Sequence, residues 1–140
     1  MCNSFIKKKG YTIDKIKFIG GAGIVAAHSS GLGAKVDLYS VTGNDEIYSF
    51  AKQKLSEYKV NNKIVLEPSR KTSLKQRYRS QGKTLMRVSY LDQITISSSV
   101  QQKIFKTLNK NIKKYDLVVF SDFNYGCLPK KLVEKIIELC

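Results

Sequence analysis

The sequence of 140 residues lacks most of the features that secretion, membrane insertion or metal binding requires. Its three cysteines, Cys2, Cys127 and Cys140, are odd in number and scattered, which predicts free thiols in a reducing cytoplasm and no disulfide framework. The single histidine, His28, has no acidic or cysteine partner nearby, so no metal site is expected. No apolar run approaches the roughly 20 residues of a membrane-spanning helix, and Met1–Lys9 lacks the apolar core of a signal peptide. We therefore expect a cytoplasmic protein that does not associate with a membrane.

Acidic residues are scarce as well: 11 aspartates and glutamates stand against 25 lysines and arginines, for a formal charge of +14. Such a surplus permits nucleic-acid binding. However, Tyr78 and Tyr90 are not arranged as an obvious stacking platform and no recognition motif occurs, so nucleic acid is a less favoured partner. At 42% hydrophobic residues, the chain has enough apolar material for one compact domain, which excludes disorder as its main state and a multidomain organisation.

The basic residues concentrate in one segment. Lys59–Tyr90 contains nine of them and a single acid, Glu67, so this segment carries +8 of the +14. It also contains all four arginines of the chain. Because the guanidinium fork of arginine matches phosphate and carboxylate groups, the segment is a candidate anion site. The alternative interpretation is ordinary solvated surface charge.

Strand and helix patterns alternate on both sides of this segment, which is typical of a parallel sheet covered by helices. The predicted strands are Lys15–Ile19, Lys35–Val41 and the continuous apolar run Asp116–Ser121. The predicted helices are Ala22–Leu32, one capped by Asn44, one that starts at Ser98 or Ser99, and one that starts at Pro129. No strand pattern follows the last helix, so we expect the architecture to be incomplete.

The basic segment interrupts this alternation with an insert of antiparallel strands. The predicted strands are Lys63–Leu66, Thr72–Ser80 and Lys83–Tyr90, with a hairpin turn at Gln81-Gly82, in an insert that spans about residues 60–92. Strand alternation puts Lys75 and Arg77 on one face. Regular pairing across a two-residue turn would place Arg77 opposite Met86 and turn Arg87 to the other face. A one-residue bulge at the turn would instead bring Arg87 to the side of Arg77, and the sequence leaves both registers open.

Short motifs in the same order resemble the PfkB-type, ribokinase-like carbohydrate kinases. The stretch GGAGIVAAHSSGLGAKVDLYSVTGNDE (Gly20–Glu46) resembles their GGAANVA…LGA segment and VxGxD turn. The stretch TSLKQRYRSQGKTLMRVS (Thr72–Ser89) resembles their TxTKxRxxxxxQxLxRxD motif. The stretch DLVVFSDFNYGCL (Asp116–Leu128) resembles their buried strand and SDYxKG turn. Within the family, the motifs are most similar to the N-terminal portion of the heptose-7-phosphate kinase domain of bifunctional heptose-phosphate kinase/adenylyltransferases.

The resemblance implies a ribokinase-like α/β fold in which residues 1–140 form a single partial sugar-kinase domain, incomplete at both ends. It implies that a sugar phosphate binds beside the glycine pair and that the antiparallel insert covers it as a lid. It also implies a homodimer formed through the lid and, in the complete enzyme, transfer of the γ-phosphate of ATP to a sugar hydroxyl with Mg²⁺. The substrate-binding residues that it implies are Gly20, Gly21, Lys75, Arg77, Arg87 and Asp122.

The chain departs from the family at positions that matter for activity. Ile24 replaces the Asn after GGAA, Ser89 replaces the last Asp of the lid motif, and Tyr125 replaces the Lys of SDYxKG. The early GDxxxD strand is absent, and so is the GxGD motif that supplies the family's catalytic base and oxyanion-stabilising amides. We therefore expect no catalytic residue in this chain and no binding of ATP or Mg²⁺ by this chain alone. A fragment of a longer kinase or a truncated gene product is expected, with a non-catalytic dimerising module as the alternative.

Overall fold

The computed structural model describes residues 2–9 and 12–140, with side chains from Lys15 onward. The expectations for the Cys2 thiol and for a leader at Met1–Lys9 concern residues or side chains outside this description. The strands are β1 Cys2–Lys9, β2 Thr12–Ile19, β3 Asp37–Leu38, β4 Val41–Thr42, β5 Asn61–Asn62, β6 Val65–Leu66, β7 Leu74–Ser80 and β8 Lys83–Tyr90. The helices are α1 Ala22–Gly31, α2 Glu46–Glu57, α3 Ser98–Asn109 and α4 Lys130–Ile137, with a 3₁₀ turn at Ile112–Lys114.

Two parallel strand pairs form the layer on which the helices pack. β3 lies beside β5 and β4 beside β6, and α2 connects the two sides as a crossover helix. The backbone N–H groups of residues 61, 63, 65 and 67 donate in turn to the carbonyls of residues 36, 38, 40 and 42. The predicted strand Lys35–Val41 is thus two short strands on one continuous ladder. The segment Lys63–Leu66 belongs to this parallel layer and not, as predicted, to the antiparallel insert.

Two apolar clusters hold the helices against this layer. The first joins Ile19 of β2 to Ala26 of α1, Leu55 of α2 and Val60. The second joins β4 and β6 to the inner faces of α3 and α4. Its buried members are Val41, Val65, Ile96, Val100, Ile104, Leu108, Leu132 and Ile136. Because their apolar residues recur at helical spacing, α3 and α4 form where the sequence predicts them.

Helix starts differ from the predictions by one or two residues. α2 is capped by Asp45, whose Oδ1 accepts a hydrogen bond from the Tyr48 N–H at 2.9 Å, and not by Asn44. α3 is capped by Ser97, and not by Ser98 or Ser99. Asn and Asp are equally good cap residues, so tertiary contacts decide between them. The second oxygen of Asp45 accepts from the Thr72 N–H at 2.9 Å, a contact that selects Asp45.

The predicted buried strand Asp116–Ser121 does not form in the described chain. Residues 116–121 pair with none of the strands described. Val118 packs against the second cluster, whereas Leu117 and Val119 are 77% and 65% exposed. A continuous apolar run indicates a strand when neighbours pair with it and cover both of its faces, and those neighbours are missing here among residues 12–140.

A four-stranded sheet, here called the lid sheet, stands beside this layer with the strand order β2-β1-β7-β8. β1 pairs antiparallel with β2 and parallel with β7, and β7 pairs antiparallel with β8. Gln81 and Gly82 form the predicted two-residue turn, with Ser80 opposite Lys83. Both turn residues have positive φ, 47° and 80°, as a type I′ hairpin turn requires.

The lid hairpin contains a bulge, which settles the register. Arg79 pairs with Thr84 but Tyr78 pairs with Met86, so Leu85 is the extra residue on β8. Arg77 consequently lies directly opposite Arg87. The bulged alternative is therefore confirmed in that Arg87 lies on the side of Arg77. The bulge itself lies inside β8 and not, as predicted, at the turn, which keeps two residues.

Candidate functional site

The glycine pair lies at the junction between β2 and α1. Gly20 is buried, and Gly21 has φ 55° and ψ −136°, a conformation that only glycine adopts readily. Behind the pair, a Cβ on Gly23 would lie 2.3 Å from the Ile19 Cγ2, so α1 packs directly on the end of β2. The chain therefore needs Gly21 for its backbone conformation and Gly23 for close packing.

The register of the lid sheet brings the glycine junction near the start of β7. Ile19 pairs with Cys2, and Cys2 pairs with Leu74. Since adjacent strands lie about 4.8 Å apart, the backbone of Leu74 lies roughly 10 Å from that of Ile19, and Gly20 follows at the same end. Among the basic residues of β7 and β8, Lys75 is thus the one nearest in register to the glycine pair.

Three predicted anion ligands share one face of the lid sheet. Lys75 and Arg77 alternate along β7, and Arg87 lies opposite Arg77 on β8. Lys75 and Arg77 are half-buried, whereas Arg87 is exposed. Because two like charges lie directly opposite each other here, an anion bound between the two guanidinium groups would be attracted by both.

The turn at residues 122–126 meets this face. The Lys75 Nζ lies 5.4 Å from the centre of the Tyr125 ring, within cation–π range. The Tyr125 ring stacks in turn on Phe123, with ring centres 6.3 Å apart. Tyr125 occupies the position of the Lys in the SDYxKG turn that the sequence resembles, so an aromatic ring and not a second ammonium group lies beside Lys75.

Asp122 caps its own turn. Its Oδ1 accepts from the Asn124 N–H at 2.8 Å, and its side chain is otherwise exposed. Gly126 follows with φ 71°, and a Cβ there would lie 2.2 Å from the Ile94 carbonyl oxygen. Asp122 lies three residues before Tyr125, whose ring contacts Lys75.

Arg70 organises the surroundings of this turn, and sequence reasoning missed this role. The residue is 6% exposed, and its guanidinium donates to the carbonyls of Asp92 and Tyr125, each at 3.1 Å, and to that of Ile94. Its Nε donates to the Glu67 Oε2 at 3.2 Å. Backbone carbonyls leave no pattern in a sequence. The available signal was Glu67, the single acid of the basic segment.

The carboxylates near the lid are stabilised in their charged form. Burial alone would raise the pKa of Glu67, but hydrogen bonds from Ser97 and Arg70 outweigh it and hold the pKa below its ordinary value. The pKa of Asp45 is lowered likewise, because hydrogen bonds from Thr72 and Tyr48 outweigh its desolvation. Burial raises the pKa of the Cys127 thiol, so this cysteine is not activated as a nucleophile.

The described residues contain neither a metal-ligating cluster nor a membrane-spanning helix. No group of three or more His, Cys, Asp or Glu side chains in the described part of the chain is placed to hold a metal ion. None of the described helices has the length and apolarity to cross a bilayer.

The sequence of the chain is similar to part of the bifunctional protein HldE. It is 37% identical to that of Sulfurimonas denitrificans over 123 residues, which cover 87% of this chain and 26% of the relative. It is 34% identical to that of Aliarcobacter butzleri over 122 residues, with 86% and 26% covered. The chain thus spans about a quarter of the length of these curated relatives. No protein-family model matches it.

Solved sugar kinases share its fold. A carbohydrate kinase from Agrobacterium tumefaciens superposes with a TM-score of 0.62 at 14% identity, covering 74% of this chain and 39% of that one. An uncharacterized sugar kinase from Pyrococcus horikoshii in complex with ATP superposes with a TM-score of 0.55 at 20% identity, covering 99% and 56%. The resemblance read from the motifs is confirmed: the chain has the ribokinase-like fold of PfkB carbohydrate kinases, and most of its length is similar to a portion of HldE.

Proposed function

We propose that this chain forms the acceptor-binding portion of a PfkB-type kinase that phosphorylates a sugar phosphate, with a heptose phosphate as the favoured class. The observation that carries the proposal is the shared lid face, on which the bulge at Leu85 brings Arg87 opposite Arg77. Lys75 lies on the same face, between the glycine junction and the Tyr125 turn. The proposal places the phosphate at these cations and the sugar ring towards Gly20, Gly21 and Asp122.

The chemistry of this surface suits a phosphate monoester better than a neutral sugar. Arginine side chains offer paired N–H donors to phosphate oxygens, and hydrogen bonds to charged groups contribute roughly 1.5–3 kcal/mol each where water is excluded. A free backbone at a glycine junction before a helix can approach a ligand closely. The lid cations would therefore fix the phosphate end, which orients the other end of the sugar for phosphoryl transfer.

ATP and Mg²⁺ have no assigned residues in this chain. The sequence contains no GxGD motif, and the described side chains include no group of three or more His, Cys, Asp or Glu placed to hold a metal ion. ATP would supply the transferred phosphoryl group in the complete enzyme. The part proposed for these residues is limited to binding and orienting the acceptor, in the cytoplasm.

The test is binding of a heptose 7-phosphate and of the unphosphorylated heptose, measured by isothermal titration calorimetry. The wild-type chain should prefer the phosphorylated sugar. Arg77→Ala and Arg87→Ala should each reduce that preference by about tenfold, the equivalent of roughly 1.4 kcal/mol, without changing the affinity for the free sugar.

A matched pair of lysines serves as the control. Lys75→Ala should reduce the preference, whereas Lys83→Ala should not, because Lys83 lies opposite Ser80 and points to the other face of the same hairpin. Both changes remove one positive charge from the lid. Equal effects of the two would mean that the lid acts through its general charge, and the site assignment would be wrong.

A second copy of this chain is the proposed partner, through the lid. Leu85, Met86 and Tyr90 on the edge strand β8 are 72%, 51% and 55% exposed. Met86 and Tyr90 lie on the face away from Arg87, so contact between copies could leave the basic face free. Sedimentation of Leu85→Lys against the wild-type chain tests this partner.

A further inference from the structure

Arg70 lies where three segments of the chain meet, between the end of β6 and the start of β7. A guanidinium offers five N–H donors in one plane, and here they reach a carboxylate and three backbone carbonyls. The carbonyls belong to Asp92 and Ile94, just after the lid hairpin, and to Tyr125 in the turn below it. One side chain thus contacts both the chain leaving the lid and the turn that the lid meets.

Glu67 completes this arrangement. Its Oε2 accepts from Arg70, and its Oε1 accepts from the Ser97 N–H at 2.8 Å. Both side chains of the pair are nearly inaccessible, at 5% and 9% exposure. A buried ion pair is a poor source of net stability, because the cost of removing two charges from water offsets their attraction. We therefore look for the role of the pair in its directional hydrogen bonds, which join segments that are distant in sequence.

The turn is packed against the same place. There is no space for a side chain at Gly126, because a Cβ there would collide with the Ile94 carbonyl. The Gly126 carbonyl also accepts from the Ile96 N–H at 3.0 Å. The distance between the turn and residues 94–96 is consequently fixed by direct contact as well as by the guanidinium.

Lys75 depends on this arrangement. It follows Arg70 by five positions, at the start of β7, and its ammonium lies over the Tyr125 ring whose backbone carbonyl Arg70 holds. Arg70 lies on the chain that enters the hairpin, and its guanidinium binds both the chain that leaves the hairpin and the turn. A shift of Arg70 would move Tyr125 relative to Lys75.

We propose that Arg70 is a positioning residue that sets the lid sheet against the Tyr125 turn and thereby places Lys75 for the ligand's phosphate. This inference rests on the proposed function for the ligand, but its geometric part does not. The lysine in Arg70→Lys keeps the charge and loses the planar fork, so this variant isolates the positioning role.

The experiment compares the full chain with Arg70→Lys and with Val60→Ala, a change in the first apolar cluster, which contains neither residues 92–97 nor residues 122–127. Amide hydrogen exchange is measured in residues 92–97 and 122–127 and, as reference, in α2. Arg70→Lys should raise exchange in the first two segments by about tenfold more than in α2. Val60→Ala should lower overall stability without that contrast. If Arg70→Lys raises exchange equally in α2 and in the two segments, the ion pair has only a general structural role and the inference is overturned. If Arg70→Lys does not fold, Glu67→Gln takes its place with the same expected contrast.

Binding of a heptose 7-phosphate then tests the link to Lys75. Lys75→Met should weaken binding by about tenfold in the wild-type background but less than about twofold in Arg70→Lys, because coupled residues are not additive. Equal losses in both backgrounds would refute the link. A wild-type chain that does not discriminate the phosphorylated sugar would refute the proposed function, and the exchange contrast would still decide whether Arg70 positions the turn.

Discussion

Arg70 and Glu67 show how much a single pair of residues contributes to the geometry of this surface. The pair joins its own segment to residues 92–97 and to Tyr125, which are 22 to 55 residues away in sequence, through acceptors that are mostly backbone atoms. Removal of the charge on either side chain leaves the other with an uncompensated buried charge. The same pair also makes the stability of the chain depend on pH.

We expect Glu67→Gln to lower the free energy of unfolding at pH 7 by roughly 1.5–3 kcal/mol, the range for hydrogen bonds to charged groups. The folded pKa of Glu67 lies below its ordinary value of 4.5. Its contribution is therefore complete above that value and is lost as the pH falls through the folded pKa. The difference between wild type and variant should narrow as urea unfolding is repeated from about pH 6 down to about pH 3.

Glu134→Gln is the matched control for this prediction. Glu134 pairs with Lys130 at 3.8 Å, but its side chain is 54% exposed, so its replacement should change stability little at any pH. A difference between wild type and Glu67→Gln that stays constant across the whole range would contradict the assigned role of the carboxylate.

The lid hairpin is the element in which prediction from sequence succeeds and fails most instructively. Alternation and the Gln81-Gly82 turn predict both strands and their connection, because these signals are local. The register could not be chosen, since the two registers differ by one residue and both leave polar groups at the surface. The prediction of a buried strand at Asp116–Ser121 is wrong for a different reason. Such a strand needs neighbouring strands to pair with it and other elements to cover its faces, and the run itself carries no information about either.

Deleting Leu85 should preserve the pairing of Arg77 with Arg87. Leu85 is the extra residue between the pairs Arg79–Thr84 and Tyr78–Met86, so its removal joins two stretches already in register. Because its side chain is 72% exposed, little burial is lost. A cross-strand nuclear Overhauser effect between the α-protons of Arg77 and Arg87 should persist, together with the preference for the phosphorylated sugar. Contacts of Arg77 with Met86 would instead show that the hairpin has shifted.

At the scale of the whole molecule, net charge and exposed apolar surface oppose each other. A formal charge of +14 keeps copies of the chain apart at low salt. Leu117, Val119 and Ile137 nevertheless expose most of their side chains, at 77%, 65% and 58%, and Leu117 and Val119 belong to a segment that pairs with none of the described strands. Apolar side chains so placed favour association once the charges are screened.

We therefore predict that the chain self-associates more strongly as salt rises from about 50 mM to about 500 mM, where the screening length falls from roughly 14 to 4 Å. Binding to a polyanion would weaken over the same range, so the sign of the salt effect separates the two kinds of partner. Sedimentation velocity of wild type, Val119→Lys and Leu85→Lys locates the contact. Loss of association in Val119→Lys alone identifies the segment at 117–119 and contradicts the proposed lid dimer, whereas loss in Leu85→Lys alone supports the lid dimer. A chain that stays monomeric at high salt and unfolds cooperatively at high temperature would contradict both.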